Sequence, residues 1–216
     1  FPQLVAGPIE RATRLLPQVI GQRTITFEEL KKGAFLCLLG FFKKVFVADN
    51  LSYIVDPIFA NKDATGFEVF IACWTFIFQI YGDFSGYSDI ARGLSKFMGF
   101  ELMRNFNLPL FSINIVDLWK RWHISFMTWL RDYLYYPLGG SHVSAFRQHV
   151  NNIITFFVSG LWHGASWHFV IWGVYGGILT SAYRIILPYF PKLPGDNIKP
   201  IYIAKLALKM FSTVGL

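Results

Sequence analysis

Apolar positions along this chain gather into runs longer than the core of a small water-soluble domain requires. The first covers residues 33–48, the second 67–81 and the third 150–187. A straight helix needs about 20 apolar residues to cross a bilayer. The second run is short by that measure, while the third is too long for one span and is broken near 162–166. Ahead of the first run, Thr26-Phe27-Glu28-Glu29 reads as a helix start, with Thr26 as the cap and two carboxylates in the first turn. Lys43 and Lys44 interrupt the run itself, so they are expected to snorkel or to face protein.

Polar positions fill the intervals. Residues 49–66 read as a loop carrying Asp49, Asp56 and Asp63. Residues 82–149 carry Arg92, Lys96, Arg104, Lys120, Arg121, Arg131 and Arg147, set between aromatic, amphipathic stretches such as 119–138. That alternation predicts interfacial or half-inserted helices rather than full spans. Gly139-Gly140-Ser141 predicts a break. Pro188, Pro191, Pro194 and Gly195 predict a turn-rich loop, with a further helix from Ile201 onward.

Composition sharpens this into an all-α, polytopic membrane protein. Of 216 residues, 54% are hydrophobic and 15% charged, where a soluble domain averages about 25% charged. Mean hydropathy is +0.41. The net charge of +7 suits loops on the cytoplasmic side better than nucleic acid, because no basic cluster is interleaved with a stacking platform in a polar stretch. The same rule places the acidic 49–66 outside the cytoplasm and the basic 82–149 on the cytoplasmic side. Cys37 and Cys73 lie in apolar runs without a C-x-x-C pair and read as packing residues, so neither a disulfide nor a zinc site is expected. The chain starts Phe1-Pro2-Gln3 and stops inside an apolar run, as expected of a piece of a longer polytopic protein.

Against that background, His163 in Gly160-Leu161-Trp162-His163-Gly164 stands out. An ionisable group in a membrane segment costs a few kcal/mol on insertion scales, about 2.5–3.5 for the charged residues, and is a functional-site candidate by default. The competing reading is a core histidine bonded to nearby backbone. His123 recurs beside a tryptophan in Arg121-Trp122-His123-Ile124-Ser125, close to Arg131-Asp132. An interfacial aromatic belt with Arg–Asp pairs explains the tryptophans there but not the repeated histidine. A third block, Asp83-Phe84-Ser85-Gly86-Tyr87-Ser88-Asp89, combines small residues with two acids. Its competing reading is helix termination plus an ion pair with Arg92 or Arg121, favoured more for Asp89 than for Asp83. His163 and His168 lie about 140° apart around a helix and no H-E-x-x-H occurs, so no metal is expected. His142 and His149 would share a helical face in a polar stretch and read as solvated. There is no G-x-S-x-G elbow and no phosphate loop. What these residues permit is general-base chemistry by a histidine. Two rivals remain at this point: a transporter relaying protons through its histidines, and a scaffold that only recruits another enzyme.

Several separate blocks, in order across about 1–177, resemble the membrane-bound O-acyltransferase family, in its alginate O-acetyltransferase-like bacterial branch. They are the start from Phe1 to Ile9, Phe42-Lys43-Lys44 with Ala48-Asp49-Asn50, the Asp83 block, the His123 block, Trp129-Leu130-Arg131-Asp132-Tyr133, Pro137-Leu138-Gly139-Gly140, and Ser159-Gly160-Leu161-Trp162-His163-Gly164. Residues 178–216 match only as more membrane segment. The resemblance implies a ring of tilted and re-entrant helices around a thinned centre with a tunnel. His163 would be its catalytic residue and His123 a second important one. Asp83, Arg121, Trp122, Ser125, Arg131, Asp132 and Trp162 would be binding or supporting positions. It also implies a bacterial cytoplasmic-membrane location and a thioester donor, acetyl-CoA or an acyl carrier protein, used as substrate with no bound cofactor. The acceptor would be a hydroxyl of an exported polysaccharide or cell wall polymer, reached with the help of an extracytoplasmic acyltransferase or accessory proteins.

Overall fold

The computed structural model describes residues 7–189. Among these residues the secondary structure is helical, with no strand. Two compact units meet in sequence at Asn107 and Leu108. The predicted loop after Pro188 and the predicted helix from Ile201 fall almost wholly outside the described residues.

The first unit opens with α1 (Ala12–Ile20) and continues with α2 (Phe27–Phe41). Thr26 caps α2 as expected, its hydroxyl accepting from the Glu29 amide at 3.3 Å. The chain does not leave the helix at the end of the first apolar run. It passes through a π-helical stretch, Phe42–Ala48, into α3 (Asp49–Ala60). The expected loop over 49–66 is therefore reduced to a short turn before α4 (Gly66–Phe97). The physical reason is local satisfaction of the polar side chains. Asn50 donates to the carbonyls of Val45 and Phe46, and Asp49 accepts from Lys44 at 2.7 Å, so none of them has to reach water through a break.

The second expectation corrected is the length of the next run. Helix α4 extends for 32 residues and carries Tyr81 through Asp89 without terminating. A capping box of Thr65 and Glu68 starts it. The acids within it are neutralised across the helix pair. Lys44 meets Asp83 at 2.8 Å, Lys43 meets Asp89 at 2.6 Å, and Arg92 approaches Asp89 at 3.6 Å. Close backbone approach makes this reach possible. A Cβ on Gly40 would stand 2.6 Å from the Gly86 carbonyl, and one on Gly33 would stand 2.9 Å from the Gly93 carbonyl. Small residues facing each other let apolar helices pack where lipid supplies no hydrophobic drive. Cys37 joins this packing against Gly93 and Ile90, while Cys73 is exposed; both are free thiols.

The second unit contains two short helices, α5 (Ile115–Arg121) and α6 (Ile124–Leu130), then a π-helical stretch, Arg131–Tyr135. These short pieces match the non-spanning helices expected over 119–138. Gly139 and Gly140 turn the chain at φ +106 and +55, as their sequence predicted. Two longer helices follow, α7 (Ala145–His163) and α8 (Trp167–Ile186), with the break where the third apolar run had predicted one. Among the described residues, two stretches are long and apolar enough to cross a membrane, Gly66–Phe97 and Trp167–Tyr189.

Candidate active site

The site is built in the second unit from a strained turn and a tight helical hairpin. Asn114 caps α5, accepting from the Asp117 amide at 2.8 Å, and Asp117 in turn accepts from Arg121 Nε at 2.9 Å. The helix stops at Trp122, and His123 adopts a left-handed conformation, φ 44 and ψ 52. Such a backbone at a non-glycine residue costs on the order of 1–3 kcal/mol and clusters at functional sites. It allows α6 to start at once on a new axis, with the Met127 amide bonded to the His123 carbonyl at 2.9 Å. The imidazole is turned inward, 4% exposed, and stacks on Phe126 at 5.0 Å. Burial, with the nearby His163 adding to it, holds the His123 pKa well below the ordinary imidazole value, so the ring stays neutral near pH 7.

The hairpin of α7 and α8 sets the other histidine. A Cβ on Gly160 would collide with the Phe169 carbonyl oxygen, and one on Gly173 with that of Phe156. Lower down, Asn152 donates to the Gly177 carbonyl and to Ser181, each at 3.0 Å. This brings the last residue of α7, His163, among rings from three helices. Trp162 stands at 4.9 Å, Trp172 at 5.1 Å, Phe126 at 6.1 Å and Phe169 at 6.3 Å. No hydrogen bond to the His163 imidazole forms among the described residues. The backbone-bonded core histidine weighed from sequence is thus not what forms here. Of the two histidines, His123 is the buried one and His163 is exposed. Both contact the same pair of rings, Phe126 and Trp162, which are themselves 4.4 Å apart.

A cavity of about 770 Å³ lies in the same unit, bounded by Lys120, Arg131 and Arg184 among apolar and hydroxyl-bearing side chains. Among the described residues no carboxylate lines it. Trp119 and Phe156 form part of its wall. Trp119 stands edge-on to Trp172 at 6.5 Å, and Trp172 stands edge-on to His163.

The remaining sequence candidates divide clearly. Trp162 joins the histidine cluster. Arg131 lines the cavity and bonds Asp132 at 2.8 Å, and Arg121 is engaged by Asp117, the carboxylate pairing expected of an interfacial belt. Ser125 is fully buried in the first turn of α6, and Trp122 is half-buried at the helix break. Asp83 belongs to the first unit, where Lys44 holds it. Asp89 pairs as anticipated with Arg92, and additionally with Lys43. His142 does not share a helical face with His149, because α7 starts only at Ala145; His142 is exposed in the preceding turn and His149 is half-buried. His168 turns back to Ser166 at 3.1 Å. No group of three or more metal-ligating side chains occurs among the described residues. The residues that sequence reasoning missed are Phe126, Phe169 and Trp172. Their signal was spacing: Phe126 lies three positions after His123, and Phe169 and Trp172 lie three apart at the start of α8.

A profile of the membrane-bound O-acyltransferase family matches residues 1–207. The chain belongs to this family. It is 46% identical over 186 residues to the probable alginate O-acetylase of Azotobacter vinelandii, covering 86% of this chain and 37% of that protein. It is 41% identical over 190 residues to the peptidoglycan O-acetyltransferase of Helicobacter pylori, covering 85% and 36% respectively. It is 31% identical over 198 residues to the teichoic acid D-alanyltransferase of Bacillus subtilis, covering 85% and 49%. The chain therefore spans between about a third and a half of the length of these relatives.

Proposed function

We propose that the protein containing this chain is an O-acyltransferase of the bacterial cytoplasmic membrane. It moves an acetyl or other short acyl group from a thioester on the cytoplasmic side toward hydroxyls of an exported polysaccharide or cell wall polymer. The observation that carries the reading is the His163 imidazole, exposed and without a hydrogen bond among the described residues, in a chain of this family. The relatives, an alginate O-acetylase, a peptidoglycan O-acetyltransferase and a teichoic acid D-alanyltransferase, suggest the acceptor class.

In the proposed step, a ring nitrogen of His163 removes the proton of an acceptor hydroxyl as its oxygen attacks the thioester carbonyl. The tetrahedral oxyanion collapses, the carbon–sulfur bond breaks, and the leaving thiolate takes the proton back from the imidazolium. Positioned general-base catalysis contributes typically about 10²–10⁴-fold, and holding the two reactants together supplies most of the rest. His123, neutral and fixed by its buried turn, orients the donor or the groups beside His163. The cavity cations Lys120, Arg131 and Arg184 suit a donor bearing phosphates, as coenzyme A and the prosthetic arm of a carrier protein both do. Delivery to the polymer proceeds directly or through an extracytoplasmic partner enzyme.

The test uses the full-length protein in its native host. His163→Ala, at matched membrane levels, is expected to abolish ester-linked acyl groups on isolated surface polymers while polymer yield stays normal. Unchanged ester content would overturn the assignment and turn attention to proton flux.

A further inference from the structure

Resting on the reading of His163 as the base, we propose that Trp172 is its positioning residue. Histidines in active sites usually have their tautomer and ring orientation set by a hydrogen bond to the second nitrogen. His163 has no such bond among the described residues, so its orientation falls to packing. Of the rings around it, Trp162 stands nearest at 4.9 Å, but it adjoins His163 on the same helix and so cannot fix the imidazole against the rest of the fold. Phe126 and Phe169 lie a full ångström farther off than Trp172. Trp172 approaches from a different helix at 5.1 Å with the ring planes at 84°, the edge-to-face geometry that aromatic rings favour.

Trp172 is itself anchored on both sides. Its neighbour Gly173 sits in the tightest part of the hairpin, where a Cβ would meet both the Phe156 carbonyl and Gly160. Gly160 lies one helical turn before His163. The backbones that carry the indole and the imidazole are thus locked together within one turn of each other. The indole's far side meets Trp119 at 6.5 Å, and Trp119 packs on Phe156 at 5.1 Å. The chain Phe156–Trp119–Trp172–His163 therefore links the wall of the cationic cavity to the imidazole. Trp172 acts through His163 and makes no contact with the reacting atoms in this role.

The experiment compares Trp172→Ala, Trp172→Phe and His163→Ala in the full-length protein in native membranes, with kcat and KM for the thioester donor measured separately. A misplaced catalytic group costs up to about a hundredfold in rate. Trp172→Ala is expected to lower kcat by about ten- to a hundredfold with donor KM within about twofold of wild type. Trp172→Phe, which keeps an aromatic ring, is expected to recover most of kcat. Full activity in Trp172→Ala would overturn the proposal, as would a rise in KM at unchanged kcat, which marks a substrate contact. Failure of Trp172→Phe to recover activity despite wild-type melting and membrane levels would also overturn it. Activity retained in His163→Ala would instead overturn the base assignment on which the proposal stands, so the two failures are separately visible.

Discussion

His123 joins two costs that rarely coincide, a left-handed backbone and a buried ionisable ring. Asn tolerates the left-handed region because its short polar side chain bonds locally, whereas a β-branched residue does not. His123→Asn is expected to keep the fold and lose acyl transfer. His123→Val is expected to melt lower than His123→Asn, with a backbone penalty on the order of 1–2 kcal/mol, as read by thermal unfolding in detergent. The neutral imidazole also makes stability depend on pH. Its folded pKa, about 3, lies below the unfolded value of 6.5, so the unfolded chain binds the extra proton in that window. Stability contributed by the neutral ring is present above pH 6.5 and is lost as pH falls toward the folded value, by up to about 1.4 kcal/mol per unit. Melting temperatures from pH 7.5 down to 4.5 should fall more steeply for wild type than for His123→Asn. The presence of a special histidine here was legible from its tryptophan neighbours. Its inward turn was not, because nothing in Trp122-His123-Ile124 specifies a left-handed residue.

Helices in this chain are held together where side chains are missing. At the α7–α8 crossing, a methyl group on Gly160 would run into the Phe169 backbone rather than into a flexible side chain, so α8 must move to admit it. Gly160→Ala is expected to cost about 1–3 kcal/mol, the range for overpacking, and to lower activity by shifting Trp172. Gly66→Ala is the control. It lies at the first position of α4 with nothing within 4 Å of the added methyl, so it should be neutral or stabilise by a few tenths to about 1 kcal/mol. Unfolding curves of the two variants check the contrast; equal effects would mean that crowding at the crossing is not what matters. The break before α8 could be read from Gly164 and Ser166 in the apolar run. The continuation of α2 through 49–60 could not, since acidic residues mimic a loop until Lys44 is seen to pair with Asp49 and Asp83.

For the whole molecule, two features bear on how the chain meets a membrane. The stretches Gly66–Phe97 and Trp167–Tyr189 are long and apolar enough to span, and charge is distributed unevenly around them. The short turn between α3 and α4 is the remnant of the acidic loop, and the segment around Gly139-Gly140-Ser141 belongs to the basic stretch. The charge rule assigns them to opposite sides. In the full-length protein in intact cells, Lys62→Cys is expected to react with a membrane-impermeant thiol reagent. Ser141→Cys is expected to react only after permeabilisation. Labelling of both from the same side would overturn this topology.

By itself, the sequence determined the class of the molecule and the identity of its unusual residues. Apolar runs and sparse charge require a membrane environment whatever the packing, and the histidine-bearing blocks identify the family because their order and spacing survive in one dimension. Tertiary structure alone decided the partners. The pairing of Lys43 and Lys44 with acids some 40 residues away, the sharing of Phe126 and Trp162 by two histidines 40 positions apart, and the approach of Trp172 to His163 across a glycine crossing depend on helix axes meeting in space. A local pattern fixes which face of a helix is apolar; it does not fix which residue of another helix that face will meet.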